Sequence, residues 1–196
     1  MSALTDPAGF PLTGRFIALE LLDKGHVAEL TRAGSDERIW KHTSFGRNPE
    51  SYFAEAFAAR DGRSMVPFAV RLLSKDRLVG MTRLLDIDEK HHRCEIGYTW
   101  TVPDVWGTAV NPEAKLLLLG HCFERAHLRR VQLKTDSLNV HSQAAIAKLG
   151  AVREGVLRAH MARPDGSQRD TVMFSVTQAE WPAVRAGLED RLAAFD

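Results

Sequence analysis

Ten residues, Trp106-Gly107-Thr108-Ala109-Val110-Asn111-Pro112-Glu113-Ala114-Lys115, set small side chains directly before residues that start helices. Gly107 and Ala109 leave backbone amides uncovered, Asn111 is a strong N-cap type, Pro112 suits the first helical position and Glu113 the first turn. Unpaired N–H groups backed by a helix dipole attract anions, and a pyrophosphate fits such a cradle. The Gly-x-x-x-x-Gly-Lys-Ser/Thr spacing of a nucleotide loop is missing, as is the Gly-x-Gly-x-x-Gly of a dinucleotide fold, so any phosphates belong to another cofactor. A glycine ahead of a helix also serves as a plain strand-to-helix turn, so the loop by itself leaves both readings open.

Other reactive residues do not assemble into a second chemistry. His91, His92, Cys94 and Glu95, with His121 and Cys122 further on, include metal-binding types. In a strand His92 and Cys94 take one face and His91 and Glu95 the other, so the ligands diverge and no metal is expected. Serine, histidine and aspartate are present without a Gly-x-Ser-x-Gly elbow. The two cysteines, far apart and outside any Cys-x-x-Cys pair, read as reduced core residues. With 26 Lys and Arg against 25 Asp and Glu, the net charge of +1 gives no bulk attraction to nucleic acid or to an anionic membrane. No long apolar run or charged-then-apolar leader is visible, so a cytoplasmic protein is expected.

At 196 residues and 44% hydrophobic, the chain is long enough for one α/β domain over residues 1–196, with a loose segment at 1–13 and a closing helix at 178–196. Apolar alternation predicts a strand at 14–22, then helices at about 26–33 and 49–60, where Tyr52, Phe53, Ala56 and Phe57 recur at helical spacing. Those aromatics, with Phe45, read as core or as the lining of a substrate pocket. Strands follow at 66–73 and 78–85 around the polar 74–77 connection, then a charged turn at 86–90 and a long strand at 93–102. From Pro112 an amphipathic helix of about fourteen residues is expected, then a strand at 130–135. A second helix is capped by Asn139, has Ala144, Ala145, Ile146 and Leu149 facing the core, and ends at Gly150. Strands at 156–163 and 171–177 bracket the turn residues Pro164-Asp165-Gly166-Ser167.

Three blocks carry a resemblance: the 106–114 loop, Asp136-Ser137-Leu138-Asn139-Val140-His141-Ser142, and Lys148-Leu149-Gly150-Ala151-Val152-Arg153-Glu154-Gly155, in that order. With Glu95-Ile96-Gly97-Tyr98 and Arg169-Asp170, they resemble the Gcn5-related N-acetyltransferase (GNAT) family, within it the RimL and RimJ type that acetylates ribosomal-protein N-termini. The resemblance spans about residues 14–181. It implies a mixed, mostly antiparallel central sheet, splayed between two strands (here 93–102 and 130–135), with helices on both faces. It implies that acetyl-CoA is the co-substrate, its pyrophosphate held at Trp106, Gly107, Thr108, Ala109, Val110 and Asn111, its pantetheine in the splay near Asn139 and Ser142. Asn139 is equally well explained as an N-cap alone, and Ser142 as a first-turn residue.

Two departures from the family pattern stand in the loop. Ala109 replaces a usual glycine and Pro112 a small hydroxyl residue, and Lys115 is a candidate to restore the lost interaction with the cofactor. The implied reaction is direct attack of a neutral amine on the thioester. A peptide α-amine, with a pKa near 8, is about one-tenth neutral at pH 7 and needs only a modest base. The resemblance makes Glu95 the first candidate base, against the ordinary reading of a paired strand carboxylate. An acid that the RimL type carries after Gly155-Val156-Leu157-Arg158 is missing from Ala159-His160-Met161-Ala162, which makes His160 the second. Ser142 or a water would protonate the leaving thiolate. The acceptor is a protein N-terminus or a small amine, chosen by residues 32–60 and 158–168; the alternative is a non-catalytic acyl-CoA-binding module. The resemblance also makes a homodimer plausible.

Overall fold

The computed structural model describes residues 3–41, 48–62, 64–163 and 165–195. Its strands are β1 (Leu12–Thr13), β2 (Ile17–Leu21), β3 (Met65–Leu72), β4 (Arg77–Asp88), β5 (Arg93–Thr101), β6 (Arg130–Asp136), β7 (Val152–Ala162) and β8 (Gln168–Thr177). They form one eight-stranded sheet in the order β1-β2-β3-β4-β5-β6-β8-β7, antiparallel throughout except between β5 and β6. The helices are α1 (Val27–Ala33), α2 (Pro49–Asp61), α3 (Val110–Gly120), α4 (Val140–Ala147) and α5 (Trp181–Ala193). A parallel pair needs a crossover, and α3 provides the one between β5 and β6.

The inner strands are apolar on both faces because both are covered. On β4, Leu78 and Met81 join α1 and α2 residues Leu30, Tyr52, Phe53 and Ala56, while Val79 and Leu84 join the larger cluster formed with α3 and α5. α5 packs on this domain: Trp181 stacks on Phe123 with ring centroids 5.6 Å apart, and its indole Nε1 donates to Glu124 Oε1 at 2.8 Å. The opening segment is better anchored than its composition suggests, since Leu4 is buried and the Phe10 ring lies 5.0 Å from those of Phe68 and His121.

Three local expectations are corrected. α3 begins at Val110, so Asn111 is not its cap and Pro112 is its third residue, not its first. Thr108 takes up the turn, its hydroxyl donating to the Val105 carbonyl at 2.7 Å, and the missing N–H of Pro112 falls in the first turn, where no intrahelical acceptor exists. Of the four residues expected to face the core around α4, Ile146 and Leu149 are buried and Ala145 is half-buried, but Ala144 is exposed. The last strands begin earlier than expected, β7 at Val152 and β8 at Gln168, since pairing with a neighbour extends a strand past its apolar run. The turn between them behaves as its residues imply: Gly166 has φ +83°, and Asp165 Oδ1 accepts from Ser167 N at 2.9 Å. Phe45 and Pro164 lie outside the described residues.

The sheet opens at its centre. β5 and β6 pair only over Arg93↔Arg130, Cys94↔Val131 and Glu95↔Gln132, and then part. Beyond that apex, Thr82 of β4 stands opposite two residues of β5, Tyr98 and Thr99, a bulge that puts Tyr98 at φ +52°. Thr99 is exposed although β5 is fifth of eight strands, as expected only where its neighbour has moved away.

Candidate active site

The N-termini of α3 and α4 stand where the chain leaves the diverging ends of β5 and β6. At the α3 side Gly107 has φ +76°, and a Cβ built there would meet nothing within 4 Å, so the backbone faces open space. The first intrahelical bond is Glu113 N to the Ala109 carbonyl at 2.9 Å; Val110 N donates to Thr108 Oγ1 at 3.4 Å, and the Asn111 amide has no intrahelical acceptor. This cradle suits a pyrophosphate despite Ala109 and Pro112. Trp106 flanks it, half exposed, with its indole Nε1 donating to the Thr101 carbonyl at 2.9 Å.

On the other helix Asn139 is an N-cap, as its type implied: its Oδ1 accepts from Ser142 N at 3.0 Å. Asp136 shapes the approach, accepting from Leu138 N at 2.9 Å and from Arg163 through both carboxylate oxygens, at 2.7 and 2.8 Å. The Arg163 guanidinium holds the Asp136 carboxyl below its ordinary range.

Two charged residues inside α3 have different neighbours. Glu113, 3% exposed, accepts from the amides of Arg15, Phe16 and Ile17, each at 2.7 Å, and so caps the start of β2. Gly14 is required beside it, because a Cβ there would lie 2.4 Å from the Glu113 carboxyl carbon. Lys115, 4% exposed, turns to the opposite flank and donates to Thr99 Oγ1 at 2.8 Å, away from the loop amides. Burial pulls its ammonium down to about 7.

At the apex Glu95 is 1% exposed and bound to both neighbouring β6 side chains, Lys134 Nζ at 3.0 Å and Gln132 Nε2 at 3.0 Å. Burial raises its carboxyl above the ordinary value while the Lys134 ammonium opposes the shift. His160 is not part of this group. Its Nδ1 lies 3.1 Å from Thr171 Oγ1, and Thr171 pairs with Asp136, four residues along β6 from Gln132, or about 13 Å at strand rise. Thus Glu95, Gln132 and Lys134 come together, Asn139 and Ser142 come together, and His160 stands apart on the exposed hairpin.

Lys134, Gln132 and an aromatic clamp were not singled out from sequence. The first two had a signal: Arg130, Gln132 and Lys134 alternate with Val131 and Leu133, marking a polar strand face. The clamp had none. Arg83, wholly buried, lies 4.5 Å from the ring centroid of Tyr52 and 4.2 Å from that of Tyr98, with Nη1 3.3 Å from Glu55 Oε1. Burial, reinforced by Glu55, pushes the Tyr98 phenol up to about 12, so it stays protonated at neutral pH. Tyr52 and Phe53 are core residues and Phe57 packs against them.

Among the described residues no three His, Cys, Asp or Glu side chains are grouped to hold a metal: His91 bonds Asp88, and Cys94 Sγ lies 3.7 Å from Cys122 Sγ inside the core. Among them, too, no helix is long and apolar enough to cross a membrane.

Residues 17–152 match the family model described as "Acetyltransferase (GNAT) domain". A Bacillus subtilis (strain 168) protein named "Putative ribosomal N-acetyltransferase YdaF" is 28% identical over 168 residues, 83% of this chain and 90% of its own length. The crystal structure of a GCN5-related N-acetyltransferase from Brucella melitensis superposes with TM-score 0.86 at 26% identity, over 93% of this chain and 85% of that one. Mycobacterium smegmatis RimJ, solved in complex with CoA-disulfide, shares the fold with TM-score 0.76 at 21% identity, over 89% of this chain and 88% of its own.

Proposed function

This chain belongs to the GNAT family of N-acetyltransferases, and we propose that it moves the acetyl group of acetyl-CoA to the α-amine of a peptide or protein N-terminus. The observation that carries the reading is the split beside Thr99, with the open Gly107 cradle and the α3 amides at its mouth. Trp106, Gly107, Thr108, Ala109, Val110 and Asn111 frame the pyrophosphate, the N–H donors being those of Gly107, Ala109 and Asn111, because the amides of Trp106, Thr108 and Val110 bond Pro103 O, Val105 O and Thr108 Oγ1; Asn139 and Ser142 form the opposite wall. The Bacillus subtilis relative named "Putative ribosomal N-acetyltransferase YdaF" and the CoA-disulfide bound to Mycobacterium smegmatis RimJ support a protein acceptor and this cofactor.

In this reading the amine nitrogen bonds to the thioester carbonyl carbon and the C–S bond breaks. Backbone N–H groups of β5, freed where β6 diverges, meet the developing oxyanion. Glu95 receives the amine proton, directly or through one water; its burial brings its basicity closer to that of the amine, and Lys134 and Gln132 fix its orientation. An α-amine is a better match than a lysine side chain, because about a tenth of it is already neutral at pH 7.

Thioester consumption measured against N-terminal peptides, small amines and no acceptor tests the proposal. Peptides are expected to accelerate turnover well above the no-acceptor rate. Turnover confined to small amines would reassign the acceptor, and CoA binding without turnover on any amine would make the protein a binding module.

A further inference from the structure

Lys115 is the one buried cation of α3 that the steps above leave without a task. Among the described residues it forms no ion pair. Its hydrogen bond goes to the Thr99 hydroxyl, which in turn lies 2.8 Å from that of the fully buried Thr82. The carboxylate nearest in sequence, Glu113, is committed to three β2 amides on the other flank of the helix. An ammonium in such a place costs free energy, a cost relieved when it meets a negative charge or gives up its proton. Thr99 lines the split, between the Glu95 apex and the mouth. Lys115 is five residues, about 7.5 Å of helix, beyond Val110, so it addresses the part of the cofactor deeper than the pyrophosphate.

Resting on the acetyl-transfer reading, we infer that Lys115 meets the CoA sulfur as it leaves: its ammonium offsets the thiolate charge and passes one proton to it. As the C–S bond breaks, the electron pair stays on sulfur, the S–H bond forms with a Lys115 proton, and Lys115 is left as a neutral amine. The proton that Glu95 took from the acceptor returns to Lys115 through solvent, so the sum is amine plus acetyl-CoA giving amide plus CoA. An ammonium near 7 gives its proton readily to a thiolate whose parent thiol has an ordinary pKa near 8.5. Ser142, on the other wall, then has a binding role only.

The test compares CoA with desulfo-CoA, which lacks the sulfur, by calorimetry on the wild-type protein, Lys115→Met and Lys115→Gln. Wild type is expected to bind CoA about tenfold more tightly, equivalent to 1.4 kcal/mol, and both variants to bind the two compounds alike. In turnover, Lys115→Met should lower kcat on the order of 100-fold with KM for acetyl-CoA little changed. Equal wild-type affinity for CoA and desulfo-CoA, or a Lys115→Met defect shared equally by both, would overturn the inference. Absence of binding to either compound would instead remove the acetyl-transfer reading itself. Should neither variant fold, the wild-type comparison of CoA with desulfo-CoA decides the matter.

Discussion

The two flanks of α3 place Glu113 and Lys115 almost equally out of water, yet one flank is chemically closed and the other open. Toward β2, three amide donors at 2.7 Å surround the Glu113 carboxylate and tie the helix to the start of a strand. Toward β5, one hydroxyl receives Lys115, and that hydroxyl belongs to a residue exposed in the split. A buried charge with its donors assembled holds the fold together, whereas one with a single neutral partner weakens it. The difference separates a residue that builds the site from one that is available to act in it.

The largest effect should come from the closed flank. Glu113→Ala strips the partner from three amides and is expected to cost about 3–5 kcal/mol in urea unfolding; a loss below 1 kcal/mol would erase the contrast. The open flank should behave oppositely, and its sign depends on pH. The Lys115 ammonium has a pKa of about 7 in the fold and 10.5 as an ordinary lysine, so between those values the unfolded chain binds more protons. Wild-type stability therefore rises with pH across that window, by up to about 1.4 kcal/mol per unit, and below about 7 the full penalty is present. Lys115→Met should lack the rise and be the more stable protein at pH 7, as denaturant midpoints at pH 7 and pH 9 would show. A smaller change, Thr99→Val, should cost about 1–2 kcal/mol in the same assay, because it takes a hydroxyl partner from Lys115 and from the buried Thr82. A much larger loss there would mean that the open flank is as structural as the closed one.

Much of the architecture could be read from local pattern. The order of strands and helices follows from apolar spacing, Asn139 caps α4 as its type implies, and Gly150 takes the left-handed conformation, φ +89°. The α3 start was displaced by two residues because Asn111 and Pro112 carry strong helix-start preferences, while the observed turn is organised by Thr108 and by packing of Val110 into the core. Glu95 was identifiable as a strand carboxylate near the loop. Its Lys134 and Gln132 partners depend on β6 lying parallel to β5 in one register, a contact across more than thirty residues of chain. Arg83 gave no signal because an arginine on a strand normally faces water, and only the bulge at Tyr98 and the approach of α2 enclose it.

By itself the sequence determined that a small-residue loop precedes a helix, that a capped second helix follows, and that the blocks stand in an acetyltransferase order. Helical geometry also put Glu113 and Lys115 about 200° apart, on opposite flanks. Only the tertiary structure decided what each flank meets. Glu113 finds the amides of a strand that precedes it by nearly a hundred residues, and Lys115 finds the edge of a gap. The physical reason is that solvation and charge pairing are set by neighbours brought together in folding, whereas helix starts, caps and strand alternation are set by residues a few positions apart.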